Sequence, residues 1–459
     1  MNFKEKFAPF REKMEKENLP DVVIKSFEFY YSQLLNGETG IIRESEIQPV
    51  EDLPDLEKLD SEFESYGNKF LRNTVVIKLN GGLGTSMGLN KAKSLLEIKN
   101  GLTFLDIIAK QSINTNVPLI LMNSFNTRND SLELLEKYPE LQNDLPRDFQ
   151  QHKIPKILKD DFTPVSWEEN PHLEWCPPGH GEVYLALVTS GILEELIGKN
   201  IHYAFISNSD NLGAYLDTKI LGYFVKNNLP FLMEVADRTE ADKKGGHLAI
   251  LNNGRMVLRE TAQCAENDIT EFQNVEKHKY FNTNNIWINL ERLKEIMEEK
   301  QSILGLPMIR NEKNVDPRNP SSPKVYQLET AMGSAISVFE GAGAIRVPRT
   351  RFAPVKTTND LLVIRSDAYV MTEDFRLIPN PQRKRSKLLV SLDDKFYKKV
   401  DDFENRFPNG VPSLIDCEYF EVKGDFKFGK NVTVKGEVSI VNEEETQKTV
   451  PDGEVLSGK

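Results

Sequence analysis

Cysteine is scarce in this chain, and what there is cannot build a framework. The 459 residues contain three cysteines, Cys176, Cys264 and Cys417. They are odd in number, far apart and without the paired spacing of zinc ligands, so neither a disulfide scaffold nor a zinc site is expected, and a reducing cytoplasm is the expected setting. Histidine is also rare, at six residues, which makes one flanked by glycines stand out. No apolar run is long enough to cross a bilayer. The first 16 residues mix Lys, Glu and Phe and lack the uninterrupted apolar core of a secretory signal. Excess positive charge is missing too. The formal net charge is -12, which argues against a general nucleic-acid binder, since such proteins meet phosphates with a positive field. An acidic chain can still bind phosphates where a few cationic groups are placed locally.

What is present is the composition of a soluble globular protein, 39% hydrophobic and 28% charged. The length exceeds one ordinary core: domains of ~100–200 residues imply two or three, one of them large. Residues 1–72 are expected as a helical N-terminal region. Val22, Val23, Phe27, Tyr30, Tyr31 and Leu34 recur at spacings of three and four, giving one apolar face, until Gly37 and Gly40 end the pattern. From residue 73 the pattern changes. Strands are expected at 74–79, 118–122, 203–207, 231–235, 247–251 and 344–347, and helices at 104–112, 182–197 and 326–339. Such alternation implies βαβ units, an α/β domain over 73–385 and a mostly parallel sheet covered on both faces. Ligands in such sheets bind beyond the carboxyl ends of the strands. After residue 385 short alternating segments take over, with Gly424, Gly429 and Gly436 at turns, so 386–459 is expected to be β-rich, as a small sheet or a few coils of a solenoid. The basic run 383–387 reads as a solvated interdomain surface.

The most informative segment is Leu79-Asn80-Gly81-Gly82-Leu83-Gly84-Thr85-Ser86-Met87-Gly88, directly after a strand. Glycines let the backbone take positive φ and approach a ligand closely, and successive N–H groups then form a nest for anionic oxygens. A lone glycine cluster would be a tight strand-to-helix turn. Four glycines in eight residues, followed by Lys91 and Lys93, favour phosphate binding. Gly88 is followed by Leu89, so no lysine falls in the register of a Walker loop. Gly82, Gly84 and Gly88 are spaced GxGxxxG, which departs from the dinucleotide fingerprint.

The run LNGGLGTSMGLNKAKSLLEI from Leu79 to Ile98 resembles the signature loop of the UDP-glucose pyrophosphorylase (UTP–glucose-1-phosphate uridylyltransferase) family. Related sugar nucleotidyltransferases carry an arginine where this chain has Ser86 and Met87, and that departure is itself typical of the UDP-glucose enzymes. Matching stretches extend from about Asn80 to Tyr369. The resemblance implies a Rossmann-like, GT-A-like nucleotidyltransferase fold with a C-terminal, short left-handed β-helix-like domain. It implies transfer of UMP from UTP to glucose 1-phosphate, giving UDP-glucose and pyrophosphate with Mg²⁺ as cofactor. A relative acting on galactose 1-phosphate or an N-acetylhexosamine 1-phosphate, and a non-catalytic sensor on the same scaffold, are the alternatives; retention of both lysines and Asp210 speaks against the sensor. The family contains monomers and homo-oligomers formed through the C-terminal domain.

The resemblance also distributes roles. Nucleotide contacts are implied for Leu79, Asn80, Gly81, Gly82 and Gly84. In the segment Phe149–Lys156, Gln151, ahead of Gln150, aligns with the residue that reads uracil, whose imide face suits an amide's donor and acceptor. Trp175–Glu182 resembles the family's PPGHG loop, placing Gly179 and His180 beside the nucleotide, with His180 on the α-phosphate. There the prolines stiffen the loop and Gly179 and Gly181 are expected to let base or phosphate near the backbone. After the strand expected at 203–207, Asn208 is implied as a polar contact and Asp210 as the Mg²⁺ ligand, although Asp-Asn after a strand is by itself a common turn. Gly246, Glu260, Asn282 and Asn284 match the sugar side of the pocket. Lys93 and Lys356, the latter in a PVKT motif, are the implied catalytic cations. Tyr326–Gly333 matches an ETAMG segment expected to start a helix and support the pocket wall.

Overall fold

The computed structural model describes residues 3–141, 144–385 and 387–458. At its centre lies a ten-stranded mixed sheet. The strand Thr74–Asn80 is buried along its whole length, as its TVVIKLN sequence demands of a strand covered on both faces. It pairs in parallel with Tyr203–Asn208 on one side and Leu119–Asn123 on the other, and Asp148–Gln150 continues the parallel run. The parallel pairing expected from the strand–helix alternation is concentrated in this half.

The other half turns antiparallel around one long strand, Tyr280–Asn289. Residues 286–289 pair with Tyr203–Asn208, Phe281 pairs with His247, and the opposite edge runs along Phe231–Asp237. Phe231–Asp237 pairs in parallel with Gly343–Arg346, while Ile47–Pro49 and Met256–Arg259 flank His247–Leu251 antiparallel. Nothing in the asparagine-rich run Phe281–Trp287 announces a strand, because asparagine is a poor strand former; pairing on both edges overrides that preference.

Helices cover both faces. On one, Phe104–Thr115 and Thr218–Lys226 bury Leu105, Ile108, Ile220 and Phe224 against Phe205 and Trp287. On the other, the N-terminal helices Phe3–Lys16 and Asp21–Leu35 join Val183–Thr189, Ile192–Gly198 and Leu290–Glu299 in a core that includes Val75 and Ile77. The helix expected at 182–197 is two helices, broken at Gly191, whose φ of +75° leaves the helical region.

The helix expected at 326–339 is a correction of kind. Lys324–Thr330 is a strand paired antiparallel with Met308–Asn314, followed by a single helical stretch, Met332–Ser337. Val325 and Leu328, both buried, happen to be spaced by three. With Met332, Ala335 and Ile336 they imitate one helical face, and only the partner strand decides between the two readings.

Beyond residue 388 two parallel ladders stack: Leu389–Leu392, Cys417–Lys423, Thr433–Val441 and Val455–Ser457 in one, and Phe426–Phe428 with Lys448–Val450 in the other. This is the geometry of a short β-solenoid. Its core is continuous with that of the segment around the glycine loop. Met87, Leu96, Ile98 and Phe104 share a hydrophobic cluster with Tyr397, Phe403, Phe420 and Val434, so the solenoid backs the glycine loop. No helix among the described residues is long and apolar enough to cross a membrane.

Candidate active site

The glycine loop leaves the sheet at Asn80, whose side chain is held below the surface. Its Nδ2 donates to Asn123 Oδ1 and to Ser131 Oγ, both at 2.7 Å. Gly84 and Gly88 take left-handed φ of +66° and +77° on either side of a short turn, Thr85–Met87, a conformation that glycine adopts without strain. The Lys93 N–H donates to Gly82 O at 3.0 Å, folding the chain back so that Lys93 lies beneath the loop. A methyl group at Gly84 would come 3.2 Å from Lys93 Cγ, whereas one at Gly82 would meet nothing within 4 Å. Gly82 therefore faces the open side of the loop.

Three segments distant in sequence meet here. Lys93 Nζ donates to Asp210 Oδ2 at 2.7 Å. Asp210 follows the strand Tyr203–Asn208, whose last residue stands opposite Leu79 in the parallel register. The Asp210 carbonyl accepts the Val355 N–H at 3.2 Å, and Asn211 bridges to Pro354. Lys356 is thereby carried to the same rim. Its side chain is exposed, and its N–H donates to Asp360 Oδ2 at 2.8 Å in the capping box that starts helix Thr358–Arg365.

On one side of the glycine loop, Gln151 meets the PPGHG loop. Gln151 Nε2 donates to Gly179 O at 2.8 Å, and its backbone N–H to Asn123 O at 2.8 Å. A methyl group at Gly81 would sit 3.3 Å from Gln151 Oε1, so the two loops touch. His180 Nδ1 accepts the Met332 N–H at 3.0 Å. The imidazole proton must then sit on Nε2, and burial lowers the ring's pKa to about 4. His180 is a neutral hydrogen-bond donor rather than a cation. Packing also demands glycine at positions 179 and 181. A Cβ at Gly179 would lie 2.4 Å from Thr330 O, and one at Gly181 2.5 Å from Thr330 Oγ1. The space they clear is taken by the strand Lys324–Thr330.

On the opposite side, Asn282 and Asn284 lie in the long strand at a bulge, where the register against Phe231–Asp237 shifts between Glu234 and Val235. Asn284 has φ of +57°. Asn282 Nδ2 donates to Asn284 Oδ1 at 2.7 Å, and the Asn284 N–H donates back to Asn282 Oδ1 at 2.9 Å. The bulge falls where the strand changes partners from Tyr203–Asn208 to His247–Leu251, so residues 282–285 line a gap in that edge. Gly246 touches Glu260, since a Cβ there would lie 2.5 Å from Oε2. Burial raises the Glu260 pKa, and the nearby Lys356 charge moderates the rise. Lys356 thus links the Lys93–Asp210 rim to this cluster.

Sequence reasoning missed what lies underneath. Glu234, fully buried, accepts from Arg351 Nε at 2.7 Å and Nη2 at 2.8 Å, from Trp287 Nε1 at 2.9 Å and from Asn285 Nδ2 at 3.0 Å. Asn211 Nδ2 donates to Arg351 O at 3.1 Å, while its Oδ1 accepts from Ala353 at 2.9 Å and Gly213 at 3.1 Å. These bonds fasten the Asp210 segment to the Lys356 segment. Lys78, in the strand before the loop, is buried with Nζ on Ser207 Oγ and Ala214 O; desolvation brings its pKa down to about 7.

The resemblance read in the glycine loop extends to the whole chain. The family model described as UTP–glucose-1-phosphate uridylyltransferase matches residues 24–435. The chain belongs to the UTP–glucose-1-phosphate uridylyltransferase family. The potato (Solanum tuberosum) enzyme of that name is 43% identical over 437 residues, covering 93% of this chain and 89% of the relative. A UDP-glucose phosphorylase from Trypanosoma brucei superposes with a TM-score of 0.89 at 47% identity, over 99% of this chain and 100% of that one. A variant of the Leishmania major UDP-glucose pyrophosphorylase, solved in complex with UDP-glucose, gives a TM-score of 0.91 at 44% identity, over 99% and 98%. This uridylyltransferase is therefore an enzyme that transfers UMP from UTP to glucose 1-phosphate, forming UDP-glucose and pyrophosphate.

Proposed function

We propose that UMP transfer takes place on the rim where Lys93, Asp210 and Lys356 meet, with the nucleotide between the glycine loop and the Gln151–His180 side and the sugar over Asn282, Asn284, Gly246 and Glu260. The observation that carries this reading is the 2.7 Å Lys93–Asp210 pair beside the Lys356 segment, because it gathers three charges from remote parts of the chain at the end of the parallel strands. An oxygen of glucose 1-phosphate attacks the α-phosphorus of UTP in line and pyrophosphate leaves opposite. The nucleophile is already an anion, so no strong base is needed. The difficulty is to bring two polyanions together, and catalysis comes from positioning and charge neutralisation.

In this scheme Leu79, Asn80, Gly81, Gly82 and Gly84 supply the loop backbone to the phosphates and Asn208 a polar contact from the strand end. Gln151 reads the uracil imide beside Gly179. His180 donates Nε2–H to the α-phosphate without adding charge. Lys93 exchanges Asp210 for the leaving pyrophosphate, and Lys356 holds the sugar phosphate and the α-phosphate. No group of three or more His, Cys, Asp or Glu side chains among the described residues is arranged to hold a metal. A single carboxylate at Asp210 suits Mg²⁺, which binds through one or two carboxylates plus substrate phosphates and otherwise keeps water. When bound, that ion supplies charge neutralisation on the triphosphate.

Removing one charge-assisted contact in such a site costs about 2–4 kcal/mol of transition-state stabilisation. Lys93→Ala and Lys356→Ala are each expected to lower kcat/KM by ~30- to 1,000-fold in a pyrophosphate-release assay with UTP, Mg²⁺ and glucose 1-phosphate. Turnover near wild type in either variant removes that lysine from the mechanism. Galactose 1-phosphate and N-acetylglucosamine 1-phosphate in the same assay define the sugar range.

A further inference from the structure

We propose that His152 and Glu182 form a positioning pair that fixes the base-reading geometry of Gln151 and thereby the preference for uracil over cytosine. The proposal deepens the reading of Gln151 as the base-contacting residue and rests on it. Two segments run side by side here, and they are cross-linked twice. Gln151 Nε2 donates to Gly179 O at 2.8 Å. One residue further on, His152 Nδ1 is in close contact with Glu182 Oε1, and the His152 N–H points to Glu182 Oε2 at 3.4 Å. Thr189 Oγ1 lies 3.4 Å from the other ring nitrogen. The Glu182 side chain is only 5% exposed and that of His152 14%. The next tie between the segments is the two-residue ladder of Ile154–Pro155 with Trp175–Cys176.

The consequence follows from the amide's asymmetry. Uracil presents N3–H and a carbonyl oxygen, whereas cytosine presents a bare N3 and an amino group. A freely rotating glutamine amide flips to suit either. Gln151 cannot flip while Nε2 is committed to Gly179 O, because the flipped amide would set Oε1 against that carbonyl. Keeping the Gly179 carbonyl in reach is the work of the cross-link at His152–Glu182. The pair touches neither phosphates nor sugar in the scheme above, so its loss should be felt in nucleotide affinity and base choice.

The test uses the whole 459-residue chain in steady-state transfer with UTP and with CTP, both with Mg²⁺ and glucose 1-phosphate. The paired substitution His152→Ala with Glu182→Ala leaves no buried carboxylate without its partner. It is expected to raise KM for UTP by ~10-fold, to keep KM for glucose 1-phosphate within ~2-fold, and to lower the UTP-over-CTP ratio of kcat/KM by ~10-fold. His152→Asn, whose amide nitrogen takes the place of Nδ1, is expected to restore most of that ratio. Should the paired variant fail to fold, as judged by near-ultraviolet circular dichroism, Glu182→Leu with His152→Leu carries the same comparison. A folded paired variant with the wild-type UTP-over-CTP ratio overturns the proposal, as does an equal rise in KM for both substrates. Gln151→Ala separates the two levels. If it abolishes base preference and the paired variant does not, only the positioning role falls; if it leaves base preference intact, the reading of Gln151 falls with it.

Discussion

At the scale of single residues, the site is defined as much by where protons sit as by where charges sit. His180 is the clearest case. Its Nδ1 accepts a backbone N–H, and burial lowers its pKa to about 4 from the ordinary 6.5. Between those values the unfolded chain takes up a proton at this ring and the folded chain does not, so the His180 contribution makes stability fall as pH falls from 6.5 towards 4. His247, lowered to about 2 by burial, acts in the same direction, while Glu182, Glu260 and Glu329, raised by burial, oppose it. The prediction is therefore made on a difference. Urea unfolding midpoints of wild type and His180→Gln should diverge between pH 7.5 and pH 5, the wild type losing more. Parallel curves would mean that the ring is not held neutral. Because their segments resemble the family's motifs, Lys93, Lys356, Asp210, Asn282 and Asn284 are singled out in the sequence. Glu234, Arg351 and Asn211 are not, because a buried ion pair and an asparagine between loops have no local pattern; their meaning arises only when residues more than a hundred positions apart become neighbours.

At the scale of elements, local rules succeed where one element decides its own fate and fail where a neighbour decides for it. The helix expected at 104–112 is found as Phe104–Thr115, its first turn held by a capping box at Thr103 and Asp106, and the strand Thr74–Asn80 announces itself by an unbroken β-branched run. The strand Lys324–Thr330 does not, since its buried positions mimic a helical stripe, and the long strand Tyr280–Asn289 hides behind its asparagines. The first of these errors bears on the site. Because Lys324–Thr330 is a strand, Thr330 lies against Gly179 and Gly181 and forms the floor of the base-side loop. Gly181→Ala is accordingly expected to act on the nucleotide without touching it. Its Cβ would lie 2.5 Å from Thr330 Oγ1 and 2.9 Å from the Thr330 carbonyl carbon, so the loop must shift. KM for UTP should rise at least ~5-fold with KM for glucose 1-phosphate little changed, in keeping with the steep distance dependence of bound geometry. An unchanged KM for UTP would show that the loop tolerates the displacement.

At the scale of the whole molecule, two of the cores reach the glycine loop, one through Leu79 and the other through Met87. One lies between the sheet and the N-terminal helices, and the other joins the glycine loop to the solenoid. Phe403, fully buried in the second, tests whether the solenoid supports nucleotide binding. Phe403→Ala is expected to cost about 3–5 kcal/mol of stability and, at temperatures where the protein remains folded, to raise KM for UTP. Phe224→Ala, equally buried but in the core on the other side of the sheet, should destabilise comparably and leave that KM alone; equal kinetic effects in both would point to general loosening. The sequence shows a change of style near residue 385 but not that the hydrophobic cluster runs across it, because a shared core leaves no mark in either stretch read alone. Met87 packs in the solenoid's cluster, and a methyl group at Gly88 would lie 3.2 Å from Lys399 Cγ. The C-terminal coils are therefore no interchangeable cassette: a chimera that grafted them from a relative would have to bring that relative's glycine loop along, or lose the packing that sets the loop's shape.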